Sequence, residues 1–337
     1  MKYVFVITNH NSFLSSIGTM NYLNINHNDV LFYTIRNYKN EIIKTDWEII
    51  PVDELFDRLY SIYAKRPSEI KQLIKEIDDL IEKDVKSKFE LFIPHLSHPF
   101  YTIMATSEKC VKTSFVQEGV LSYKNVFLTD RTFFEKVKTR LGQLLKYRTN
   151  RIWGCGGWYA EGTYKQDVLY SYATNDRLFQ YLPSINHIIS WPKVSIEQQY
   201  KKDAAFFMFD GFVKNGFVES DYYLSQCKKL IEEYSRPYNY VKFHPNESVQ
   251  ERNMIIGFFN QYGKEVEELS NAIPFELVLA SKDNLFVVGL GTSLLFTAHE
   301  LGHQVICHDD WLLNSPKFLN YMRSFGCKLF SDVYSIH

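Results

Sequence analysis

The chain has 337 residues, 45% of them hydrophobic, and its 38 lysines and arginines nearly balance its 39 aspartates and glutamates. This length predicts two domains of roughly 150 residues, each large enough to bury a full core. The balanced charge disfavours a nucleic-acid partner, because no positive field is available to hold a polyanion. The five cysteines form no Cys-x-x-Cys pair, which argues against a disulfide framework or a structural zinc site.

The amino-terminal segment has too few apolar residues for a signal peptide, and far fewer than the ~20 that span a bilayer. We therefore expect a soluble, cytoplasmic protein. Any contact with the inner face of the cytoplasmic membrane would be peripheral.

Short β-branched and aromatic runs alternate with segments of helical periodicity, a pattern typical of parallel strands joined by crossover helices. In the first half, this pattern predicts strands over residues 3–8, 30–35, 47–52, 89–93 and 112–116. Apolar residues on one stripe predict an amphipathic helix over 68–86, whose charges face solvent. A second amphipathic helix is predicted over 132–147.

The stretch 151–164, RIWGCGGWYAEGTY, is rich in glycine and aromatic residues, and this change in composition predicts a linker. We expect a first domain over residues 1–155 and a second over 156–337. The second half is predicted to repeat the alternation, with a helix over 222–234 and strands over 168–172, 188–190, 206–209, 240–243, 285–288 and 305–307. The last helix is expected to pack back on the first domain.

One candidate site lies in the segment 240–247, YVKFHPNE, which leaves a predicted strand through a His-Pro turn. Ligands of open α/β sheets bind at the carboxyl ends of strands. His244, with Lys242 two residues earlier on the same strand face and Pro245 after it, is suited to neutralise and protonate a departing phosphate. The alternative is a turn histidine that the proline stabilises.

A second candidate site follows a helix over 271–280, which opens near Pro274 with Glu276 in its first turn. The next strand, 283–288, ends in Gly-Leu-Gly-Thr-Ser at 289–293 and enters a helix over 294–301. Gly291 lets the backbone approach an anion, and Thr292 and Ser293 add hydroxyl donors to the positive end of the helix. The alternative is plain capping of the helix.

The order of these short motifs resembles that of the bacterial sialyltransferases and polysialyltransferases: acidic-Gly at 118–119, Lys-x-His-Pro at 242–245, Pro-x-Glu at 274–276, and a hydroxyl pair at 292–293. The resemblance implies a GT-B-like α/β fold of two Rossmann-like domains with a cleft between them. The first domain would be the acceptor side, and the second would bind the CMP-sugar. The resemblance implies that Glu118 is the general base, that His244 contacts the CMP phosphate and that Glu276 holds the ribose. Thr292 and Ser293 would bind the phosphate, Lys242 would lie near the nucleotide, and Gly211 would approach the cytosine.

The acidic-Gly motif departs from the family pattern, which usually has two acidic residues before the glycine, the first being the base. Here Gln117 stands at the first position, and a glutamine cannot accept a proton. Either Glu118 turns inward or another group serves. His95 and His98, after the preceding strand, are the nearest candidates, with a loop or core role as the alternative for each.

The segment 299–303 matches the zinc-peptidase pattern H-E-x-x-H. Zinc would need both imidazoles on one helical face and a third ligand. Gly302 is typical of a helix end, so we expect His303 to lie outside the helix in a surface cap. No glutamate follows Glu300, and the extended pattern fails at Ile306 and Asp309, so zinc hydrolysis is disfavoured.

A basic cluster lies near the predicted linker. Two interpretations are open: a solvated helix face, or a surface that docks on an anionic membrane carrying lipid-linked acceptors. Its members are Lys136, Lys138, Arg140, Lys146, Arg148 and Arg151.

We expect inverting, metal-independent transfer of sialic acid or a related nonulosonic acid from a CMP donor to a glycan of a capsule, another surface polysaccharide or a lipooligosaccharide. CMP leaves as a charged phosphate monoester, which cations and hydroxyl groups can stabilise, so no cofactor is implied. The sequence contains no Asp-x-Asp metal motif. The alternatives are another CMP- or CDP-linked transferase, moving Kdo, legionaminic acid or glycerol phosphate, and a non-catalytic glycan-binding homologue.

Overall fold

A computed structural model of the chain describes residues 1–39, 47–119, 122, 133–152, 166, 168–180, 182, 184–270, 273–325 and 329–334. The chain divides into two compact units. The first comprises Met1–Glu118 with Asn125–Trp191, and the second comprises Gly119–Lys124 with Pro192–His337. Each unit contains one parallel sheet flanked by helices, which confirms the expected α/β class.

The sheet of the first unit has the strand order β3-β2-β1-β4-β5-β6-β7, and the paired strands are parallel. The central strands β2 and β4 are buried along their whole length, as apolar runs are when both faces of a sheet are covered. The strands are β1 Lys2–Ile7, β2 Val30–Thr34, β3 Glu48–Pro51, β4 Phe89–Ile93, β5 Cys110–Val116, β6 Leu169–Ala173 and β7 Ser184–Ile188.

The helices of the first unit are α1 His10–Tyr22, α2 Asp53–Tyr60, α3 Pro67–Asp84, α4 Pro99–Ala105 and α5 Phe133–Tyr147. Helix α1 begins at an Asn9 cap, whose side chain accepts a hydrogen bond from the Ser12 backbone. Helix α3 buries the apolar stripe that the sequence predicts, including Ile70, Ile77 and Ile81, against the core.

The sheet of the second unit has the order β10-β9-β8-β11-β12, again with parallel pairs. Its strands are β8 Ala205–Met208, β9 Tyr238–Lys242, β10 Glu265–Glu268, β11 Phe286–Gly289 and β12 Gln304–Cys307. Its helices are α6 Ser220–Tyr234, α7 Val249–Gln261, α8 Phe275–Ser281, α9 Ser293–Glu300, α10 Pro316–Phe325 and α11 Phe330–Tyr334. Strand β10, whose sequence EVEE is mostly exposed, was not predicted because it lacks an apolar run.

The boundary between the units lies after Trp191 rather than after residue 155. Strand β6 pairs with β5 and β7 pairs with β6, so the predicted strand 168–172 belongs to the first sheet, and the strand predicted over 188–190 is found earlier, at Ser184–Ile188, in that same sheet. The chain then crosses helix α1, where Trp191 Nε1 donates to Ser15 Oγ at 3.0 Å. A Cβ on Gly18 would lie 2.5 Å from the Ser190 carbonyl oxygen. The boundary was predicted from the glycine-rich composition at 151–164, of which residues 153–164 lie outside the described residues.

The last described helix, α11, belongs to the second unit and packs there on α9, and its expected packing on the first domain stays a prediction. The Phe330 ring lies 5.2 Å from that of Phe296 on α9. Asp309 Oδ2 accepts hydrogen bonds from the Phe330 and Ser331 backbones, which fixes the start of the helix. Within the part of the chain that the structure describes, every helix is too short or too polar to cross a lipid bilayer.

Candidate active site

Four polar residues follow adjacent strands of the first sheet. Because these strands are parallel neighbours, their carboxyl ends share one edge, where ligands of α/β sheets bind. Asn9 follows β1, Arg36 follows β2, His95 follows β4 and Glu118 follows β5. Their side chains form a cluster centred on Glu118.

The Glu118 carboxylate is buried, with 2% of its side chain exposed. Its Oε1 accepts a hydrogen bond from Arg36 Nη1 at 3.2 Å, and its Oε2 lies 3.7 Å from His95 Nε2. Asn9 Nδ2 donates to the Glu118 carbonyl oxygen at 3.1 Å. Arg36 has a left-handed backbone, with φ of 60°, which is strained for a residue with a side chain. Glu118 therefore turns inward, the first of the two alternatives that the sequence left open.

The neighbouring Gln117 side chain is directed elsewhere. Its Oε1 accepts hydrogen bonds from the backbone nitrogen and the hydroxyl of Thr174, both at 2.9 Å. These bonds join the end of β5 to the residue after β6. Gln117 thus ties two strand ends together, and Glu118 is the residue of the motif that contacts Arg36 and His95.

His95 and His98 differ in what their rings contact. His95 Nδ1 accepts a hydrogen bond from the Ser97 backbone nitrogen at 3.2 Å, so its Nε2 carries the proton and faces Glu118. His98 caps α4 through Nδ1, which accepts from Phe100 N, and stacks on Phe56 at 3.8 Å.

Burial, together with the nearby His95 and Arg36, lowers the pKa of His98 to about 3. His98 is therefore neutral at physiological pH and a weak base. Of the two histidines, His95 is the one in contact with Glu118.

Two buried polar atoms beside this cluster, the Tyr101 hydroxyl and His98 Nε2, have no hydrogen-bond partner among the described residues. Burial, reinforced by Glu118, raises the pKa of Tyr101 well above its usual range, so the hydroxyl keeps its proton. Buried donors are normally satisfied by protein, water or ligand. Neither Tyr101 nor Arg36 is predicted from the sequence, although a basic residue directly after a strand is a signal for Arg36.

In the second unit, three loops leave the carboxyl ends of the adjacent strands β9, β8 and β11. The loop after β9 carries His244 and the exposed Pro245. The loop after β8 carries Gly211, and the loop after β11 carries Gly291 and Thr292. The topology therefore brings the predicted nucleotide-binding residues to one edge of the second sheet.

His244 is fixed from several sides. Its Nδ1 accepts a hydrogen bond from Asn246 N at 3.1 Å, which leaves Nε2 as an N–H donor. Arg252 Nη2 donates to its carbonyl oxygen at 3.1 Å. A Cβ on Gly211 would lie 3.3 Å from His244 Nδ1 and 2.9 Å from Asn246 Cβ, so the close approach of these two loops favours glycine. The turn contact uses Nδ1, and the donor role predicted from the sequence would use Nε2.

Lys242 holds the segment that precedes α8. Its Nζ donates to the carbonyl oxygens of Ser270 at 2.8 Å and Ile273 at 3.3 Å. Burial lowers the pKa of Lys242, and Glu276 opposes this shift. Glu276 is partly buried in the first turn of α8, where burial raises its pKa and Lys242 counteracts the rise. Lys242 therefore positions the segment that leads to Glu276.

The start of helix α9 carries the hydroxyl pair. Gly291 has φ of +105°, and a Cβ there would meet Asp309 Cβ at 3.0 Å. Thr292 occupies the cap position and is buried, but its hydroxyl makes no capping hydrogen bond within the described residues. Ser293 is exposed. The side chain of Thr292 thus does not perform the plain capping role that was the alternative reading.

The His-Glu-x-x-His segment has a structural role at its second histidine. Helix α9 ends at Glu300, which confirms the prediction that His303 lies outside it. His303 is nevertheless buried rather than on a surface cap, which corrects that expectation. Its Nδ1 accepts from Leu285 N at 3.2 Å and its Nε2 bonds the Leu279 carbonyl oxygen at 3.0 Å. Both ring nitrogens are therefore engaged. Among the described residues, no group of three His, Cys, Asp or Glu side chains could hold a metal ion.

Glu247 supports the His244 turn from a buried position. Its Oε2 accepts from His244 N at 3.3 Å, and its Oε1 accepts from the Tyr223 hydroxyl. Burial raises the pKa of Glu247 to about 8, and the nearby Asp210 and Glu251 contribute to the rise.

This shift predicts a pH effect on stability. The pKa of Glu247 is higher in the folded state than in the unfolded state, so between pH of about 4.5 and about 8 the folded state keeps a proton that the unfolded state releases. Glu247 therefore lowers the free energy of unfolding as pH rises through this range. Glu247→Gln should remove that part of the pH dependence. Urea unfolding across this range measures it, with the exposed Glu267→Gln as control. Parallel profiles for wild type and Glu247→Gln would contradict the prediction.

The similarity of this chain to known proteins is one of fold and not of sequence. No protein-family model matches the sequence, and no curated protein matches it. A sialyltransferase from Photobacterium damsela is 16% identical, with a TM-score of 0.50 over 96% of this chain and 79% of that one. A putative UDP-N-acetylglucosamine 2-epimerase from Listeria monocytogenes is 9% identical, with a TM-score of 0.51 over 97% of this chain and 89% of that one. The fold is that of the GT-B glycosyltransferases.

Proposed function

We propose that this chain is an inverting, metal-independent glycosyltransferase that moves sialic acid or a related nonulosonic acid from a CMP donor. The acceptor is a glycan of a surface polysaccharide or lipooligosaccharide. The observation that carries the proposal is the buried Glu118 carboxylate at the carboxyl edge of the first sheet, in contact with Arg36 and His95. The ordered motifs of the second unit supply the donor chemistry.

Glu118 is proposed as the base that takes the proton of the acceptor hydroxyl. Arg36 and His95 keep the carboxylate oriented. The unpartnered Tyr101 hydroxyl is a donor available to an acceptor oxygen. Attack of the deprotonated hydroxyl on the anomeric carbon, from the face opposite CMP, inverts the configuration at that carbon.

The second unit is proposed to bind CMP. His244 Nε2–H donates to the departing phosphate, and the Thr292 and Ser293 hydroxyls and the first backbone N–H groups of α9 bind its other oxygens. Glu276 accepts hydrogen bonds from the ribose, and the Gly211 loop approaches the cytosine. Lys242 acts by holding the segment before Glu276.

We expect purified protein to bind CMP in the presence of a chelator, because the proposed phosphate partners are side-chain and backbone donors of the chain itself. Isothermal calorimetry with and without EDTA measures this. Thr292→Val keeps the buried volume and removes the hydroxyl, and should weaken binding about tenfold. Binding that requires added zinc or magnesium, or a preference for UDP over CMP, would overturn the metal-independent CMP reading.

A donor screen then distinguishes the remaining alternatives. CMP-sialic acid, CMP-Kdo, CMP-legionaminic acid and CDP-glycerol are offered with a mixture of glycan acceptors, and products are detected by mass spectrometry. Transfer from the first donor supports the proposal, and transfer from another donor alone replaces it. CMP binding without turnover of any donor identifies a glycan-binding homologue.

A further inference from the structure

Helix α5 of the first unit exposes an apolar stripe to solvent. Val137, Leu141 and Leu145 follow one another at intervals of four residues, and Phe134 precedes them by three, so the four lie on one face. The exposed fraction reaches 79% for Leu145 and 82% for Phe134. Single exposed apolar residues are ordinary on protein surfaces, whereas a continuous stripe along a helix is typical of an interaction surface.

The opposite face of α5 holds the helix to its own unit. Tyr147 is buried in the first core. Arg140 donates from Nη1 to the Ile152 carbonyl oxygen at 3.1 Å and from Nη2 to that of Asn150 at 2.8 Å. The stripe is therefore turned outward by a helix that is already anchored, and its exposure does not come from a helix lacking an inner face.

The structure divides five members of the basic cluster into two sets, and the side chain of the sixth, Lys136, lies outside those that the structure describes. Arg140 and Arg151 are structural, since Arg151 Nη2 donates to Asp78 Oδ1 at 2.8 Å and to the Ile103 carbonyl oxygen at 2.9 Å. Lys138, Lys146 and Arg148 are exposed. Lys138 lies four residues after Phe134 and three before Leu141, which places it beside the stripe, and Lys146 and Arg148 lie at the carboxyl end of the helix.

An outward apolar stripe with exposed basic residues beside it and at its carboxyl end fits the interface of an anionic bilayer. The apolar side chains enter the headgroup and acyl boundary, while lysine and arginine stems extend their charges to the lipid phosphates. The helix is about 22 Å long, enough to lie along the surface without crossing it. A protein partner would need a complementary acidic groove, whereas an anionic lipid surface offers both the apolar phase and the negative charge.

We propose that α5 docks this protein peripherally on membranes that contain anionic lipid, through Phe134, Val137, Leu141 and Leu145 with Lys138, Lys146 and Arg148. The inference rests on the surface of α5 and not on the proposed reaction. It assigns the contact to the first unit, which also carries Glu118.

Co-sedimentation with vesicles tests the proposal. The full chain is expected to bind vesicles of phosphatidylcholine mixed with phosphatidylglycerol, to bind phosphatidylcholine alone at least about tenfold more weakly, and to be released by salt. The double variant Leu141→Asp/Leu145→Asp should lose binding about tenfold or more, and Lys138→Glu/Lys146→Glu should lose the preference for anionic lipid. Val249→Asp, at a position of α7 that is 73% exposed, is the matched control and should bind like wild type.

Absence of vesicle binding, or equal binding by wild type and the Leu141→Asp/Leu145→Asp variant, would overturn the proposal. So would a change of oligomeric mass in that variant, because the stripe would then be covered by a second copy. Turnover of a soluble acceptor by the docking variants should match wild type. Loss of vesicle binding with normal turnover, and normal vesicle binding without turnover, separate the docking proposal from the proposed function.

Discussion

Glu118→Gln is expected to lower turnover by roughly 10² to 10⁴-fold while CMP affinity stays near that of wild type. The amide keeps the size of the carboxylate and its ability to accept a hydrogen bond from Arg36, but it cannot take the acceptor proton. Folding should be preserved, since Arg36 is partly exposed and tolerates a neutral neighbour. Initial rates at saturating donor, together with CMP calorimetry, measure the two quantities separately.

The matched control for this variant is Gln117→Glu, which places a carboxylate one residue earlier. Its rate should remain close to wild type, because that side chain is directed to Thr174 and not to the Glu118 cluster. An active Glu118→Gln combined with an inactive His95→Ala that still binds CMP would make an imidazole the base. Activity would then fall on acidification through a pKa of roughly 6.5.

His244→Ala is expected to lower turnover by about 10²-fold or more, because it removes the Nε2–H donor from the phosphate on which charge develops as the sugar departs. His244→Gln, which retains an N–H at the end of a comparable side chain, should recover part of the loss. Rates with CMP-sialic acid and thermal unfolding of both variants distinguish a chemical defect from a structural one.

The histidine used for comparison has to be chosen by its contacts. His303 is a poor control, since replacing it leaves the Leu285 amide and the Leu279 carbonyl without their partner and should lower stability. His27, exposed on a turn of the first unit, is better suited. If His27→Ala and His244→Ala lose activity equally, His244 has no specific role in the reaction.

The periodicity of apolar residues predicted most strands and long helices to within a few positions, because burial of one face imposes that spacing on the sequence. The domain boundary was predicted wrongly because it depends on contacts that are distant in sequence. Whether a strand such as β6 joins β5 or a later sheet depends on backbone pairing between distant residues, which composition does not encode. The same holds for the site: Glu118 was found from a motif, but its contact with Arg36 depends on β2 and β5 ending at one edge.

The choice between Gln117 and Glu118 could not be made from the sequence either. Adjacent residues leaving a strand point in different directions, and which one faces the ligand depends on the strand's pairing and on the turn after it. Thr174, which binds the Gln117 side chain, lies 57 positions away along the chain. The short motif identifies Gln117 and Glu118 as candidates, and only the fold shows which of the two side chains faces the cluster.

The pairing of β6 and β7 with the first sheet has a practical consequence for dissecting the chain. A fragment that stops at residue 155 would leave the outer edge of β5 with unpaired backbone donors and acceptors beside Phe115 and Val116, a surface that invites intermolecular strand pairing and aggregation. It would also uncover the Gly18 face of α1. A fragment extended through Trp191 keeps the edge covered, and should be soluble where the shorter one precipitates.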